Sequence, residues 1–296
     1  MHPSLSLLLK LAAAITSGAA AILTLRRLRQ DDSISSFRRE IYAAASLMMP
    51  PSPPTVLIVG ARGHGKSSFL NTACRALANE YGPLLLRAES RPPGAESGET
   101  KRVVRATVDP GGEQFSDEEV SVALLEKGIG FETTKEDMEA AVAGLEGVEC
   151  VVIVVRCSGP TKELSLVIRR LPEIVAPVRE RGLHLMVVLT HKKSIRTMRQ
   201  AEELRREIAF KARTDCVYFI ENYTSSKSSN LRYPIPIKND FETHFTVLTI
   251  IRQCLEFVKL YRSHSGNIHH KHEKDNVKDH ASVATRSHAK FANGEV

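Results

Sequence analysis

The sequence predicts an α/β protein of three layers, with a mainly parallel central sheet and an additional helix at the N-terminus. Three features predict this fold: a glycine-rich loop between a strand and a helix, a regular alternation of strand-like and helix-like segments, and strands that are apolar along their whole length. Continuous apolar strands are typical of parallel sheets covered on both faces by helices. A chain of 296 residues is long enough for one such core with further segments at its ends.

The glycine-rich loop, residues 60–67, reads Gly-Ala-Arg-Gly-His-Gly-Lys-Ser. This order is the pattern of the phosphate-binding loop, or P-loop, and it lies between an apolar strand at 55–59 and a helix at 67–77, the context that the pattern requires. Glycines allow backbone conformations in which several N–H groups and the start of the helix point at one anion. The motif therefore predicts a polyphosphate site and the fold of P-loop nucleoside triphosphatases.

Two side chains of the loop have predicted roles in nucleotide chemistry. Lys66 is expected to reach the β- and γ-phosphates, where its charge would also assist catalysis, and the Ser67 hydroxyl is expected to bind Mg²⁺. The residues predicted to surround the phosphates are Gly60, Ala61, Arg62, Gly63, His64, Gly65, Lys66, Ser67 and Ser68.

A second candidate region follows the predicted strand 102–108. Asp109 and Gly112 form an Asp-x-x-Gly sequence, in which the carboxylate would hold Mg²⁺ through water and the glycine N–H would contact the γ-phosphate. The alternative is a simple turn. Gln114 is the nearest glutamine to this sequence, and it is a candidate for orienting the attacking water.

Thr100 precedes this strand and is the candidate switch threonine, a Mg²⁺ ligand and catalytic residue. Thr72, Ser97 and Thr107 are nearby alternatives.

The remaining elements alternate along the chain, which predicts right-handed crossovers in a parallel sheet. Further strands are predicted at 84–86, 148–155, 183–189 and 216–220, and further helices at 33–49, 116–127, 133–145, 160–181, 194–212 and 240–261. The predicted divisions are a hydrophobic anchor or targeting segment (1–30), a helix with a proline-rich linker (31–54), the nucleotide domain (55–262) and a disordered histidine-rich tail (263–296).

The N-terminal segment is apolar from residue 5 to residue 25 apart from Lys10 and small polar residues, and it ends at Arg26, Arg27 and Arg29. It reaches the length of a membrane span if Lys10 can extend toward the interface. The position of the arginines predicts a nucleotide domain that faces the cytosol. The alternatives are a cleaved signal peptide, an organelle transit peptide that would direct the processed chain to an organelle, and an amphipathic helix.

The charge distribution and the cysteine spacing argue against a nucleic-acid-binding protein and against a disulfide-bonded one. Most of the net charge of +7 lies in the two ends, and no basic stripe interleaved with aromatic residues is present, so we expect no binding to nucleic acid. The five cysteines include no Cys-x-x-Cys pair, which favours reduced thiols.

More than half of the eleven histidines lie in the tail, where metal binding is the alternative to disorder.

The ends of the predicted strands follow the order of the five nucleotide motifs of GTPases: Gly60–Ser67, Thr100, Asp109–Gly112, Leu189–Lys193 and Ile220–Tyr223. Thr190-His191 and Glu221-Asn222 resemble the fourth and fifth motifs of the chloroplast-envelope import-receptor GTPases and of their relatives in immunity. The sequence is also similar to the interferon-induced GTPase-like proteins, and its organisation resembles more weakly that of the signal recognition particle receptor beta subunit. The resemblance covers about residues 55–260. It implies that the base is contacted by Thr190, His191, Glu221 and Asn222.

The sequence departs from that pattern at Lys193, where the family usually has the aspartate that selects guanine, and at Glu113, where small GTPases have a glutamine. Glu221 is a carboxylate that can replace the missing aspartate.

The expected function is a membrane-associated GTP-binding protein with Mg²⁺ and slow hydrolysis, which acts as a switch for a protein partner or pairs with a second copy. The alternative is an ATP-binding or hydrolysis-poor scaffold.

Overall fold

A computed structural model of the chain describes residues 3–50, 52–79, 102–111, 119–128, 135–143, 147–158, 161–224 and 239–264. The strands are Thr55–Gly60 (β1), Arg102–Thr107 (β2), Ser121–Gly128 (β3), Cys150–Arg156 (β4), His184–Thr190 (β5) and Val217–Ile220 (β6). The helices are Pro3–Met48 (α1), Lys66–Leu77 (α2), Lys135–Ala143 (α3), Thr161–Glu180 (α4), Met198–Ala212 (α5) and 241–264 (α6).

The strands form one sheet in the order β2-β3-β1-β4-β5-β6. All neighbouring pairs are parallel except β2 and β3, which are antiparallel. The prediction of a mainly parallel sheet is confirmed. Because parallel strands all end at the same edge, the residues that follow β1, β3, β4, β5 and β6 are brought together there.

Successive residues of β1 enter two separate cores, one on each face of the sheet. Val56 and Ile58 pack with apolar residues of α1, α2 and α6, whereas Leu57 and Val59 pack with those of α3, α4 and α5. This alternation follows from the two-residue period of a strand. The predicted arrangement of three layers is therefore confirmed.

The predicted helix at 116–127 is wrong, because Ser121–Gly128 forms β3 in the interior of the sheet. Val120 and Val122 are fully buried, and β-branched residues fit a pleated sheet better than a helix. The acidic residues before this strand resemble the start of a helix in the sequence, but pairing with β1 and β2 decides the conformation. The strand predicted at 84–86 lies outside the described residues.

Helix α1 is continuous across the predicted division between residues 30 and 31. Its second half packs on the domain through Ile34, Ile41 and Ala45, and Phe37 meets Phe245 of α6 with ring centroids 4.9 Å apart. Residues 12–29 are exposed on all sides of the helix. Among the described residues, no helix combines the length and the apolar character needed to cross a membrane, so the predicted transmembrane helix is not found there.

Candidate functional site

The P-loop connects β1 to α2 at the carboxyl edge of the sheet. Gly63 and Gly65 have φ angles of 78° and 89°, in the left-handed region that glycine adopts without strain. A Cβ atom on Gly60 would lie 2.3 Å from the Val154 carbonyl oxygen, so only glycine fits against β4. These glycines bring the loop back over the sheet so that α2 begins at Lys66, with its N-terminus at the loop.

The Lys66 side chain is buried beside the loop and donates a hydrogen bond from Nζ to the Ala61 carbonyl oxygen over 3.2 Å. Burial lowers the pKa of its ammonium group, and the nearby Glu126 carboxylate opposes that shift. A buried cation at the start of a helix is suited to anionic phosphate. The predicted position of Lys66 in the loop is consistent with this geometry.

Glu126 of β3 is a site residue that the sequence prediction missed. Its Oε1 accepts a hydrogen bond from the Ser67 hydroxyl over 2.6 Å, and the side chain is only 5% exposed. Its Oε2 is buried and has no hydrogen-bond partner among the described residues. A buried carboxylate oxygen without a partner is costly, and a hydroxyl beside a carboxylate is the oxygen ligand set that Mg²⁺ prefers. Ser67 and Glu126 therefore fit a Mg²⁺ ion that accompanies bound phosphates.

Asp109, the predicted Mg²⁺ residue, lies far from Ser67. The backbone N–H of Asp109 donates to the carbonyl of Leu77 at the end of α2, whereas Ser67 is at the start of that helix. Because β2 is antiparallel, its last residue Thr107 pairs with Ser121 at the beginning of β3. From there, β3 runs about 16 Å to Glu126 at roughly 3.3 Å per residue.

The structure therefore corrects the assignment of Asp109 to the metal site. The Asp109 carboxylate accepts a hydrogen bond from the Gly111 N–H over 2.9 Å, as in the simple turn that is the alternative interpretation. It also forms an ion pair with Arg38 of α1 at 3.8 Å. Thr100, Gly112 and Gln114 lie outside the described residues, so their predicted roles stay predictions.

Thr190, at the end of β5, connects the predicted base-binding loop to the P-loop. Its hydroxyl donates to the carbonyl of His64 over 2.8 Å and lies 3.1 Å from Nδ1 of His191. His191 itself has a φ of 61°, which turns the chain sharply after the strand. The structure thus brings together residues that are more than a hundred positions apart in the sequence.

Glu221 and Asn222 follow β6 and contact the loop after β5 and the P-loop, respectively. The Glu221 carboxylate accepts from the Lys193 N–H over 2.9 Å through Oε2, and its Oε1 has no partner among the described residues. The Asn222 side-chain amide lies 3.4 Å from the Gly65 carbonyl oxygen, and its Oδ1 is buried without a partner in the described part of the chain. Both residues offer oxygens that can accept hydrogen bonds from a ligand.

His64 and the end of β4 complete the site. The His64 imidazole is 5% exposed, and its Nδ1 accepts from the Arg156 N–H over 3.4 Å. Burial lowers the pKa of His64 to about 4, with a further contribution from the charge of Lys66. His64 is therefore neutral at neutral pH, and it joins the P-loop to β4 without adding a charge.

The structure is thus a three-layer α/β fold with a P-loop between β1 and α2 and an antiparallel edge strand, β2. No protein-family model matches the chain, and no curated protein matches it. Among solved structures, the chain is similar to the crystal structure of a probable GTP-binding protein engB, with a TM-score of 0.39 and 15% identity over 69% of this chain and 98% of that one.

Proposed function

We propose that this chain is a guanine-nucleotide-binding P-loop protein that uses Mg²⁺, hydrolyses GTP slowly and acts as a switch for a protein partner. The observation that carries the proposal is the group of Lys66, Ser67 and Glu126 at the P-loop. It brings together a buried ammonium group, a hydroxyl and a carboxylate oxygen that has no hydrogen-bond partner in the described part of the chain. This arrangement suits a phosphate chain with its cation. The Mg²⁺ ion, when bound, would neutralise charge on the phosphates.

Guanine selection is proposed to depend on Glu221. A guanine ring presents an N1–H and an exocyclic amine, both donors, so the residue that selects it must accept hydrogen bonds. The Glu221 carboxylate directly follows β6, next to the loop that contains Thr190 and His191, and its Oε1 has no partner among the described residues. An ATP-binding scaffold is the second candidate, because Lys193 has replaced the aspartate that usually selects guanine.

The full-length chain, purified without added nucleotide, is expected to carry GDP or GTP, identified by mass spectrometry of the released ligand. In single-turnover measurements we expect slow conversion of GTP, because Arg62 places a long side chain in the P-loop and no glutamine directly follows Gly112. If a second copy completes the site, the rate will rise with protein concentration.

The identity of the released nucleotide separates the two candidate functions, and the turnover measurements test the role of a partner. Adenine nucleotide in the purified protein would favour the ATP-binding scaffold and refute guanine specificity. Fast hydrolysis that is independent of concentration would refute the proposed dependence on a partner or a second copy.

We also propose that the exposed part of α1 attaches the nucleotide domain to a membrane surface, with that domain in the cytosol. Ile15, Ile22, Leu23, Leu25 and Leu28 are 57–68% exposed. Apolar side chains of this size are seldom so exposed together on a monomer, which favours a lipid or protein neighbour. The arginines at 26, 27 and 29 add charge that is attracted to anionic lipid headgroups. Processing that removes this segment and leaves the domain in an organelle is the alternative.

Replacing Ile22 and Leu25 together by aspartate should reduce the fraction of full-length protein that sediments with vesicles containing anionic lipid by about tenfold, since two apolar groups that would enter the lipid become charged. The matched control is Leu47→Asp, which changes an 86% exposed leucine in the part of α1 that packs on the domain. Equal sedimentation of the parent and the double variant would refute membrane attachment through this surface.

A further inference from the structure

The order of the strands places β4 between the two halves of the proposed nucleotide site. The P-loop follows β1, and the proposed base-binding residues follow β5 and β6, while β4 lies between β1 and β5. Adjacent strands are separated by about 4.8 Å, so β1 and β5 are roughly 10 Å apart. A nucleotide that reaches from a base near Glu221 to phosphates in the P-loop must therefore pass over the end of β4 with its ribose and first phosphate.

Arg156 is the last residue of β4 and stands at this crossing point. It pairs in register with Thr190, and the next residue, Cys157, donates its N–H to the Thr190 carbonyl over 3.0 Å. The N–H of Arg156 donates to His64 of the P-loop. The backbone of Arg156 is thus fixed on one side to the P-loop and on the other to the residue that precedes His191.

The Arg156 side chain is exposed, and its position is restrained by a hydrogen bond from Nε to the Ser158 hydroxyl over 2.7 Å. Within the described residues, the guanidinium group forms no ion pair with a carboxylate. An arginine in an ion-pair network would already be neutralised, whereas this one, as far as the described residues show, keeps N–H groups that can donate to an anion.

The positive charge of Arg156 affects the pKa of a histidine on each side of β4. Burial is the main cause of the lowered pKa of His64 and of His191, and the positive charge of Arg156 lowers the pKa of both further. The guanidinium group is therefore close enough to act electrostatically on both the P-loop and the proposed base-binding loop. Both imidazoles are neutral at neutral pH, whereas Arg156 carries a positive charge at this end of β4.

We propose that Arg156 is a nucleotide-binding residue outside the P-loop, whose guanidinium group contacts the α-phosphate of the ligand. The inference rests on the proposed function, because it takes the nucleotide to extend from Glu221 to Lys66. It assigns Arg156 to the part of the nucleotide that GMP, GDP and GTP have in common, whereas Lys66 is assigned to the β- and γ-phosphates.

The test compares the full-length parent with Arg156→Ala and Arg156→Lys in equilibrium titrations with GMP, GDP and GTP, and with guanosine followed by ligand-observed NMR. We expect Arg156→Ala to weaken all three nucleotides by a similar factor of about ten, as for loss of one charge-assisted hydrogen bond, and to leave guanosine binding unchanged. Arg156→Lys should restore part of the loss. The matched control is Arg169→Ala, which removes the same charge from an exposed position of α4.

Each other outcome has a definite meaning. An unchanged affinity in Arg156→Ala, a loss confined to GTP, an equal loss in Arg169→Ala, or an equal loss for guanosine would each overturn the assignment of Arg156. If the parent binds no nucleotide, the proposed function itself fails and the assignment fails with it. Nucleotide binding by the parent with no effect at Arg156 refutes only the assignment.

Discussion

Replacing Lys66 by alanine is expected to weaken binding of Mg²⁺-GTP by about two orders of magnitude or more, since a buried charge-assisted contact to phosphate is lost. The ammonium group lies beside the Ala61 carbonyl within the P-loop, and the residue as a whole is only 8% exposed to solvent. Such a position has little screening by water, so the interaction with phosphate is stronger than that of a surface lysine. Titration of a fluorescent GTP analogue at saturating Mg²⁺ measures this effect.

Companion variants separate the phosphate contact from the metal contact. Ser67→Ala and Glu126→Gln should lower GTP affinity mainly by raising the Mg²⁺ concentration required, because they remove the two side chains proposed to hold the ion. Lys162→Ala, at an exposed position of α4, is the matched control for loss of one positive charge. Unchanged GTP affinity in both Lys66→Ala and Ser67→Ala would refute the site.

Substituting Glu221 by glutamine is expected to remove most of the preference for GTP over ATP, with GTP affinity lowered by about a hundredfold, as for loss of a hydrogen-bonding group that a polar ligand requires. Glutamine keeps the size of the side chain but replaces one acceptor oxygen by a donor. That donor would face the N1–H and amine of guanine. ATP affinity should change little, since adenine does not need the carboxylate.

Competition of GTP, ITP and ATP against a fluorescent nucleotide measures this preference in the parent and in Glu221→Gln. ITP lacks the exocyclic amine, so it should bind the parent more weakly than GTP and should distinguish recognition of that amine from recognition of N1–H. Glu203→Gln, on the exposed face of α5, is the matched control for the lost negative charge. If the variant keeps the full GTP preference, Glu221 is not the acceptor, and if ATP competes equally in the parent, guanine selectivity is absent.

The correct and incorrect sequence predictions differ in the range of the interactions on which they depend. The P-loop was predicted from eight consecutive residues, because its glycines and the following helix are determined locally. The buried strands β4 and β5 were predicted from continuous apolar runs. In contrast, β3 was assigned to a helix, because its acidic flank and short apolar run fit either structure until neighbouring strands are known.

The sequence by itself determined that the chain is a mainly parallel α/β protein with a P-loop, and that Lys66, Ser67, Thr190 and Glu221 follow strands of one sheet. The tertiary structure decided which carboxylate accompanies Ser67. Asp109 follows a strand just as a metal-binding residue would, but β2 runs antiparallel and carries it to the opposite edge, whereas the parallel strand β3 brings Glu126 to the P-loop. Strand direction is set by pairing between distant segments, and for that reason a local pattern cannot reveal which end of a strand faces the site.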